Sequence, residues 1–253
     1  MALRQEPHVL VVGGSDSSGG AGIARDIETI ASIGVRTCLA VTAITVQTHE
    51  AVMDVQHLRP ALVRDQMRAA LQANMVAAIK IGMLATAGII AAVAAVLREN
   101  PQVPAILDPV LASTSGRALL EAGAIAAMKR DLVPLCWLVT PNLIELALLI
   151  GAEQAVDEDE AVWQGQELLA AGAQAILIKG GHAKGLRSTD ILLRSGQEPI
   201  RFDAPRLAVS VRGTGCMLAS AIAAHLANAR PLEDSVRKSK LFVFEKLETD
   251  LTN

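Results

Sequence analysis

The stretch APRLAVSVRGTGCMLASAIAAHLANAR, residues 204–230, sets a strand, a glycine turn and a helix in that order. A β-branched run at 207–211 meets Gly213-Thr214-Gly215-Cys216, and a helix of Ala, Leu, Ile and Met then runs toward Asn228. Glycine at such a junction permits positive φ and lets another molecule approach the backbone closely. The first N–H groups of a helix have no intrahelical partner, and the dipole places partial positive charge at that end. Together these make an anion site. The competing reading is a tight turn with Thr214 as N-cap, and the turn alone favours that blander version.

Outward from this unit, short apolar runs alternate with segments of helical period. HVLVV (8–12) reads as a buried strand, and GGSDSSGGAG (13–22) as a glycine-rich loop feeding a helix through about Ile33. One or two strands are expected over 35–47, then an amphipathic helix over 60–74 with Pro60 in its first turn. Strands at 77–82, 105–110, 137–140 and 175–180 alternate with helices at 86–99, 116–130, 141–151 and 159–171. A hairpin over 189–205 and two final helices complete the chain. This alternation predicts an α/β fold: a mostly parallel sheet covered on both faces. No composition break or linker divides residues 1–253, so a single domain is expected.

Composition narrows the function. The chain has 253 residues, 51% of them hydrophobic, and a formal net charge of −3. With a pI near 6.0, nothing favours nucleic acid or an anionic membrane surface as a partner. The aromatic content of 2%, without tyrosine, leaves no platform for stacking bases. Cys38, Cys136 and Cys216 are odd in number and lack metal-ligand spacing, which fits a reducing cytoplasm. The first residues lack a signal-peptide core. The apolar stretch 81–97 is interrupted by Gly82, Thr86 and Gly88 and falls short of the roughly 20 residues a membrane span needs.

In open α/β sheets, ligands bind beyond the carboxyl ends of the strands. Six polar motifs fall at such ends: Gly13-Gly14-Ser15-Asp16, Lys80-Ile81-Gly82-Met83, Asp108-Pro109, Thr140-Pro141-Asn142, Lys179-Gly180-Gly181 and Gly213-Thr214-Gly215-Cys216. Each alone has a structural explanation: Asp108 as a turn former, Asn142 and Glu145 as a capping pair, Lys179 as a strand end reaching water. Jointly they supply what phosphoryl transfer needs, which is positioning and charge neutralisation. Lys179 reaches nucleotide phosphates, Asp108 and Glu145 offer oxygens to Mg²⁺, and Asn142 orients a water or phosphate oxygen. The amides of 213–216 hold the transferring group. The sequence contains no G-x-x-x-x-G-K-[ST] motif, and GGSDSSGGAG fails the dinucleotide fingerprint.

GGSDSSGGAGIARDI, VTAITVQ, KIGML, DPV, TPNLIE, KGGH and GTGC resemble, in order and spacing, the hydroxymethylpyrimidine/phosphomethylpyrimidine kinases of thiamin biosynthesis, members of the ribokinase-like superfamily. The resemblance implies a three-layer α/β/α fold and MgATP-dependent phosphorylation of 4-amino-5-hydroxymethyl-2-methylpyrimidine, then of its monophosphate. It implies a pyrimidine pocket lined by Gly14, Ala21, Asp26, Gln47, Met83 and Val110. Lys179 would hold ATP phosphates, with Asn142 beside it and Asp108 and Glu145 around the metal. Gly213, Thr214, Gly215 and Cys216 would form the anion hole. The Gln47 amide carries a donor and an acceptor to match an aminopyrimidine edge.

Cys216 stands where sugar kinases of the superfamily carry an aspartate base, and a helix N-terminus is expected to lower its pKa from roughly 8.5. Arg212 and Met217 depart from the histidine and threonine usual in the family, as does the ending LFVFEKLETDLTN. A homodimer is implied, with 35–47 as contact. The rival readings are a pyridoxal or pyridoxine kinase and a non-catalytic pyrimidine sensor.

Overall fold

The computed structural model describes residues 6–113, 116–121, 123–180, 186–207 and 211–252. Gly181 and His182 of the KGGH motif, and residues 208–210 of the run before the glycine turn, lie outside them. Nine strands form one sheet: β1 (His8–Gly14), β2 (Arg36–Gln47), β3 (Val52–His57), β4 (Val76–Ile81), β5 (Ala105–Leu107), β6 (Leu138–Val139), β7 (Ala175–Ile178), β8 (Arg187–Arg194) and β9 (Ile200–Pro205). Their order is β3-β2-β1-β4-β5-β6-β7-β8-β9. The six strands from β2 to β7 in that order are parallel; β3 and β8 run against them, and β9, antiparallel to β8, points the same way as the six.

Period-two alternation sends the strand side chains to two separate cores. Leu10 and Val12 of β1 pack under α2 (Pro60–Ala73), α3 (Ala87–Glu99), α4 (Ala124–Ala127), α5 (Leu143–Ile150) and α6 (Glu158–Ala170). Val9 and Val11 face α1 (Gly22–Ser32), α7 (Thr214–Ala227) and α8 (Leu232–Thr252). This is the expected three-layer architecture. The small residues of α7 let it lie close to the sheet, and its residues 217–224 are all buried. Among the described residues, no helix is long and apolar enough to cross a membrane.

The chain places β2 on one side of β1 and then crosses back to place β4 on the other. The crevice at their carboxyl ends is therefore the topological switch point where ligands of open α/β sheets bind. Gly14 ends β1 there, and Met83 follows β4; a β-carbon on Gly14 would lie 3.0 Å from the Met83 sulfur.

Two expectations need correction. The stretch expected to hold one or two strands holds one, the twelve-residue β2, but its partner β3 was not expected because VMDVQH, mostly solvent-exposed, carries no apolar alternation. The helix expected over 116–130 starts only at Ala124. Ala112 and Ala118 form an antiparallel bridge around Gly116, which has φ +85°. The Arg117 guanidinium holds the carbonyls of Val52 and Met53, so the segment is drawn toward β3 instead of coiling.

One ion pair ties the layers together. Lys80 of β4 and Asp26 of α1 are each 1% exposed, and Lys80 Nζ lies 2.9 Å from both Asp26 carboxylate oxygens. Ser220 of α7 donates to the same carboxylate at 2.7 Å. Burial alone would lower the Lys80 pKa, but Asp26, with Cys216 and Asp108 behind it, raises it, so the ammonium stays charged. Removing one member strands a buried charge. Lys80→Met is expected to lose about 3–5 kcal/mol of unfolding free energy in urea titrations. The double variant Lys80→Met/Asp26→Leu should recover most of that loss, and a Lys80→Met protein as stable as the parent would refute the pin.

Candidate active site

The glycine turn before α7 leaves the helix uncapped by any side chain. Gly213 is the N-cap with φ +78°. Thr214 is the first helical residue, so the capping reading fails and the leading N–H groups of α7 are left for another acceptor. Only glycine fits at 213, because an added β-carbon would stand 2.5 Å from Gly20 O and 3.1 Å from Ala21 Cα. At Gly215 an added β-carbon would lie 3.2 Å from Lys179 Nζ and 3.6 Å from Asp108 Oδ2. The amides, the lysine and the carboxylate therefore share one space.

Lys179 arrives there by leaving its strand. Its N–H donates to Pro141 O at 2.8 Å, and it bridges to Asn142 in parallel register. Its ammonium lies 2.6 Å from Asp108 Oδ1 and 3.5 Å from Glu145 Oε2. Burial would lower the Lys179 pKa, but Asp108 and Glu145 overcome it and raise the value. For Asp108, burial acts upward, yet Lys179 and Lys80 outweigh it and hold the carboxyl below its ordinary range. Glu145 is pushed up, by burial first and by Asp108 next.

Asn142 and Glu145 form a full capping box on α5. Asn142 Oδ1 accepts from Glu145 N at 2.9 Å, and Glu145 Oε2 accepts from Asn142 N at 2.7 Å. Their structural and chemical explanations thus coincide: the cap fixes Glu145 beside Lys179 and leaves the Asn142 amide nitrogen for a ligand. As a magnesium set, Asp108 and Glu145 fit a hard ion that keeps waters and shares phosphate oxygens. Among the described residues, no group of three His, Cys, Asp or Glu could hold a metal without such partners.

The residues expected around the pyrimidine divide. Met83 and Val110 share one small apolar cluster with Ala43 and Ala85, next to Gly14. Gln47 ends β2, its Oε1 accepting from Thr45 Oγ1 at 3.2 Å. Ser17 Oγ donates to Gln47 O, tying the glycine loop to this strand end. Ala21 abuts Gly213. Asp26 is the exception: both carboxylate oxygens are taken by Lys80 and Ser220, so it stands behind the pocket instead of lining it.

Cys216 also departs from expectation. Burial, the largest influence, pushes its thiol up to about 11, although Lys80 acts downward. At neutral pH it is a thiol.

Arg212, which departs from the histidine usual in the family, acts as a clamp. Its guanidinium binds Asp16 Oδ2 at 3.2 Å and donates to Thr48 O at 2.7 Å. Asp16 in turn caps the Ser18 N–H and hydroxyl. The anion turn is thereby tied to the glycine loop and to the residue after Gln47.

A family profile described as phosphomethylpyrimidine kinase matches residues 16–253. The hydroxymethylpyrimidine/phosphomethylpyrimidine kinase of Rhizobium meliloti (strain 1021) is 42% identical over 235 residues, covering 92% of this chain and 88% of its own. The chain belongs to the phosphomethylpyrimidine kinase family. Among solved structures, the family's enzyme from Clostridium difficile 630 is 32% identical with a TM-score of 0.82, covering 96% of this chain and 99% of its own. The pyridoxal kinase of Staphylococcus aureus, solved with pyridoxal, is 29% identical with a TM-score of 0.87, covering 96% and 88%. That enzyme is also solved with ADP. Family membership accounts for the shared three-layer fold.

Two outcomes are expected. Alkylation of Cys216, mapped by mass spectrometry, should be slow near neutrality and accelerate with rising pH, since only about one thousandth of a thiol of this pKa is ionised near pH 8. Rapid labelling near pH 7 would show a lowered pKa instead. Gly213→Ala should destabilise the fold by about 1–3 kcal/mol through strain at positive φ and collision with Gly20. An unchanged melting temperature would count against the close approach.

Proposed function

We propose that this chain uses ATP to phosphorylate the hydroxymethyl group of 4-amino-5-hydroxymethyl-2-methylpyrimidine, and then the resulting monophosphate, giving the diphosphate used in thiamin biosynthesis. The observation that carries the reading is the uncapped amino end of α7, facing Lys179 and Asp108 across Gly215.

Gln47 donates and accepts along the aminopyrimidine edge, and Met83 and Val110 grip the faces of the ring. Lys179 and Asn142 hold the nucleotide phosphates. Asp108 and Glu145 would hold Mg²⁺, which would supply positive charge to neutralise the phosphates. The N–H groups following Gly213 stabilise the equatorial oxygens of the transferring group, which gain charge as the reaction proceeds. Cys216 takes the hydroxymethyl proton as general base, aided by the Lys80 ammonium behind it.

A base with a pKa near 11 is mostly protonated at neutrality, so its active fraction grows as pH rises. kcat should climb by about tenfold per pH unit between about pH 7 and 9, and Cys216→Ala should lose both that slope and about 10²–10⁴ in kcat. A flat profile in the parent would assign the chemistry to the backbone amides alone. Gln47→Ala should raise KM for the pyrimidine and leave KM for ATP unchanged.

A second reading, pyridoxal phosphorylation, is favoured by the likeness to the Staphylococcus aureus enzyme. Product analysis with ATP, Mg²⁺ and each free alcohol separates the two and resolves monophosphate from diphosphate. The protein would work as a homodimer in a reducing cytoplasm. The contact would be the outer face of β2 and β3, where Ile44, Val46 and Met53 are exposed. Ile44→Lys should yield a monomer by light scattering, and a dimer unaffected by the charge would move the interface elsewhere.

A further inference from the structure

Lys179 is aimed from a place where regular structure stops. The β7–β8 ladder ends at the pair Ile178–Ile191, and no ladder pair follows it. Gly180 then passes so close to β8 that an added β-carbon would sit 1.8 Å from Thr189 O. Its N–H has lost a ladder acceptor, and Asp190 supplies one: Gly180 N donates to Asp190 Oδ1 at 2.9 Å. Its carbonyl accepts from Arg206 Nη2 at 3.1 Å.

Asp190 is buried, so its charge requires a partner. Lys240, reaching in from α8, provides it: Nζ lies 2.9 Å from Asp190 Oδ2 and 3.1 Å from Ser188 Oγ. The side chains of Asp190 and Lys240 are 4% and 11% exposed. The result is a chain of contacts from α8 through a buried ion pair to the peptide directly after Lys179.

We propose that Asp190 and Lys240 are positioning residues for the nucleotide side of the reaction, fixing the Lys179–Gly180 peptide so that the Lys179 ammonium meets the ATP phosphates. The inference rests on the assignment of Lys179 to those phosphates. Asp190 and Lys240 touch no substrate themselves. Lys240 neutralises Asp190, Asp190 orients Gly180, and Gly180 sets the direction from which Lys179 leaves the strand. The pyrimidine residues Gln47, Met83 and Val110 lie on β2 and after β4 and β5, outside this chain of contacts.

The test compares Asp190→Asn, Lys240→Met and Lys240→Arg with Lys179→Met in the 253-residue chain, measuring kcat, KM for each substrate and the melting temperature. Misplacing a binding group costs up to about 10²-fold, so Asp190→Asn and Lys240→Met should raise KM for ATP by about tenfold while KM for the pyrimidine stays within about twofold. Lys240→Arg should restore most of the loss, and the double variant Asp190→Asn/Lys240→Met should be no worse than either single one. Ser188→Ala, which takes an acceptor from Lys240 without stranding a charge, should show a smaller rise in KM for ATP alone. Unaltered ATP kinetics in these variants, or equal rises for both substrates that track the melting temperature, would overturn the proposal. If Lys179→Met itself left ATP kinetics unaltered, the assignment of Lys179 would fall and this inference with it.

Discussion

Two lysine ammonium groups, one buried and one largely so, govern this molecule. A parallel sheet covered on both faces has no water to solvate a charge, yet Lys80 and Lys179 both sit at its carboxyl edge. Each needs an anion nearby, and the anions come from separate elements. Asp26 reaches Lys80 from α1, whereas Asp108 and Glu145 reach Lys179 from beyond β5 and from α5. Neutralising the lysines therefore draws together the parts of the chain that make the site. The Asp108 carboxyl, held below its ordinary range, adds stability above the usual carboxylate pKa and loses it as pH falls through the lowered value.

The two lysines have different fates. Lys80 is sealed by Asp26 and Ser220, and its charge acts only through space on Cys216 and Asp108. Lys179 faces the uncapped turn at Gly215 and stays partly exposed, so its partners can be exchanged for those of a ligand. This division makes one a structural pin and leaves the other placed for the role proposed for it.

Close backbone approach is the other constraint. Gly213 against Gly20, and Gly180 against Thr189, are contacts no larger residue permits. Each glycine is then secured by charged side chains from elsewhere. Arg212 binds Asp16 and the Thr48 carbonyl beside the first, and Asp190 with Arg206 holds the peptide of the second. The arrangement gives loops at a strand rim the rigidity that phosphoryl transfer demands of its amides and cations.

The fold was largely legible in the chain. Apolar runs such as HVLVV and AILI, alternating with helical periods, specify a covered parallel sheet because strands buried on both faces cannot alternate with polar residues. The motifs at strand ends single out Lys179, Asp108, Glu145 and the Gly213 turn, which the fold brings to one rim. Other features were hidden for physical reasons. β3 is an exposed edge strand with no apolar rhythm, and the segment around Gly116 yields its helical composition to the grip of Arg117 on β3. That Asp26 backs the pocket, that burial raises the Cys216 thiol, and that Arg212, Asp190 and Lys240 act as clamps all depend on contacts across long sequence separations. The sequence by itself determined which elements form and which residues reach the rim, since periodicity and turn chemistry are local. Only the tertiary structure decided how charges pair there, because pairing energy depends on distance and on the exclusion of water, which no local pattern encodes.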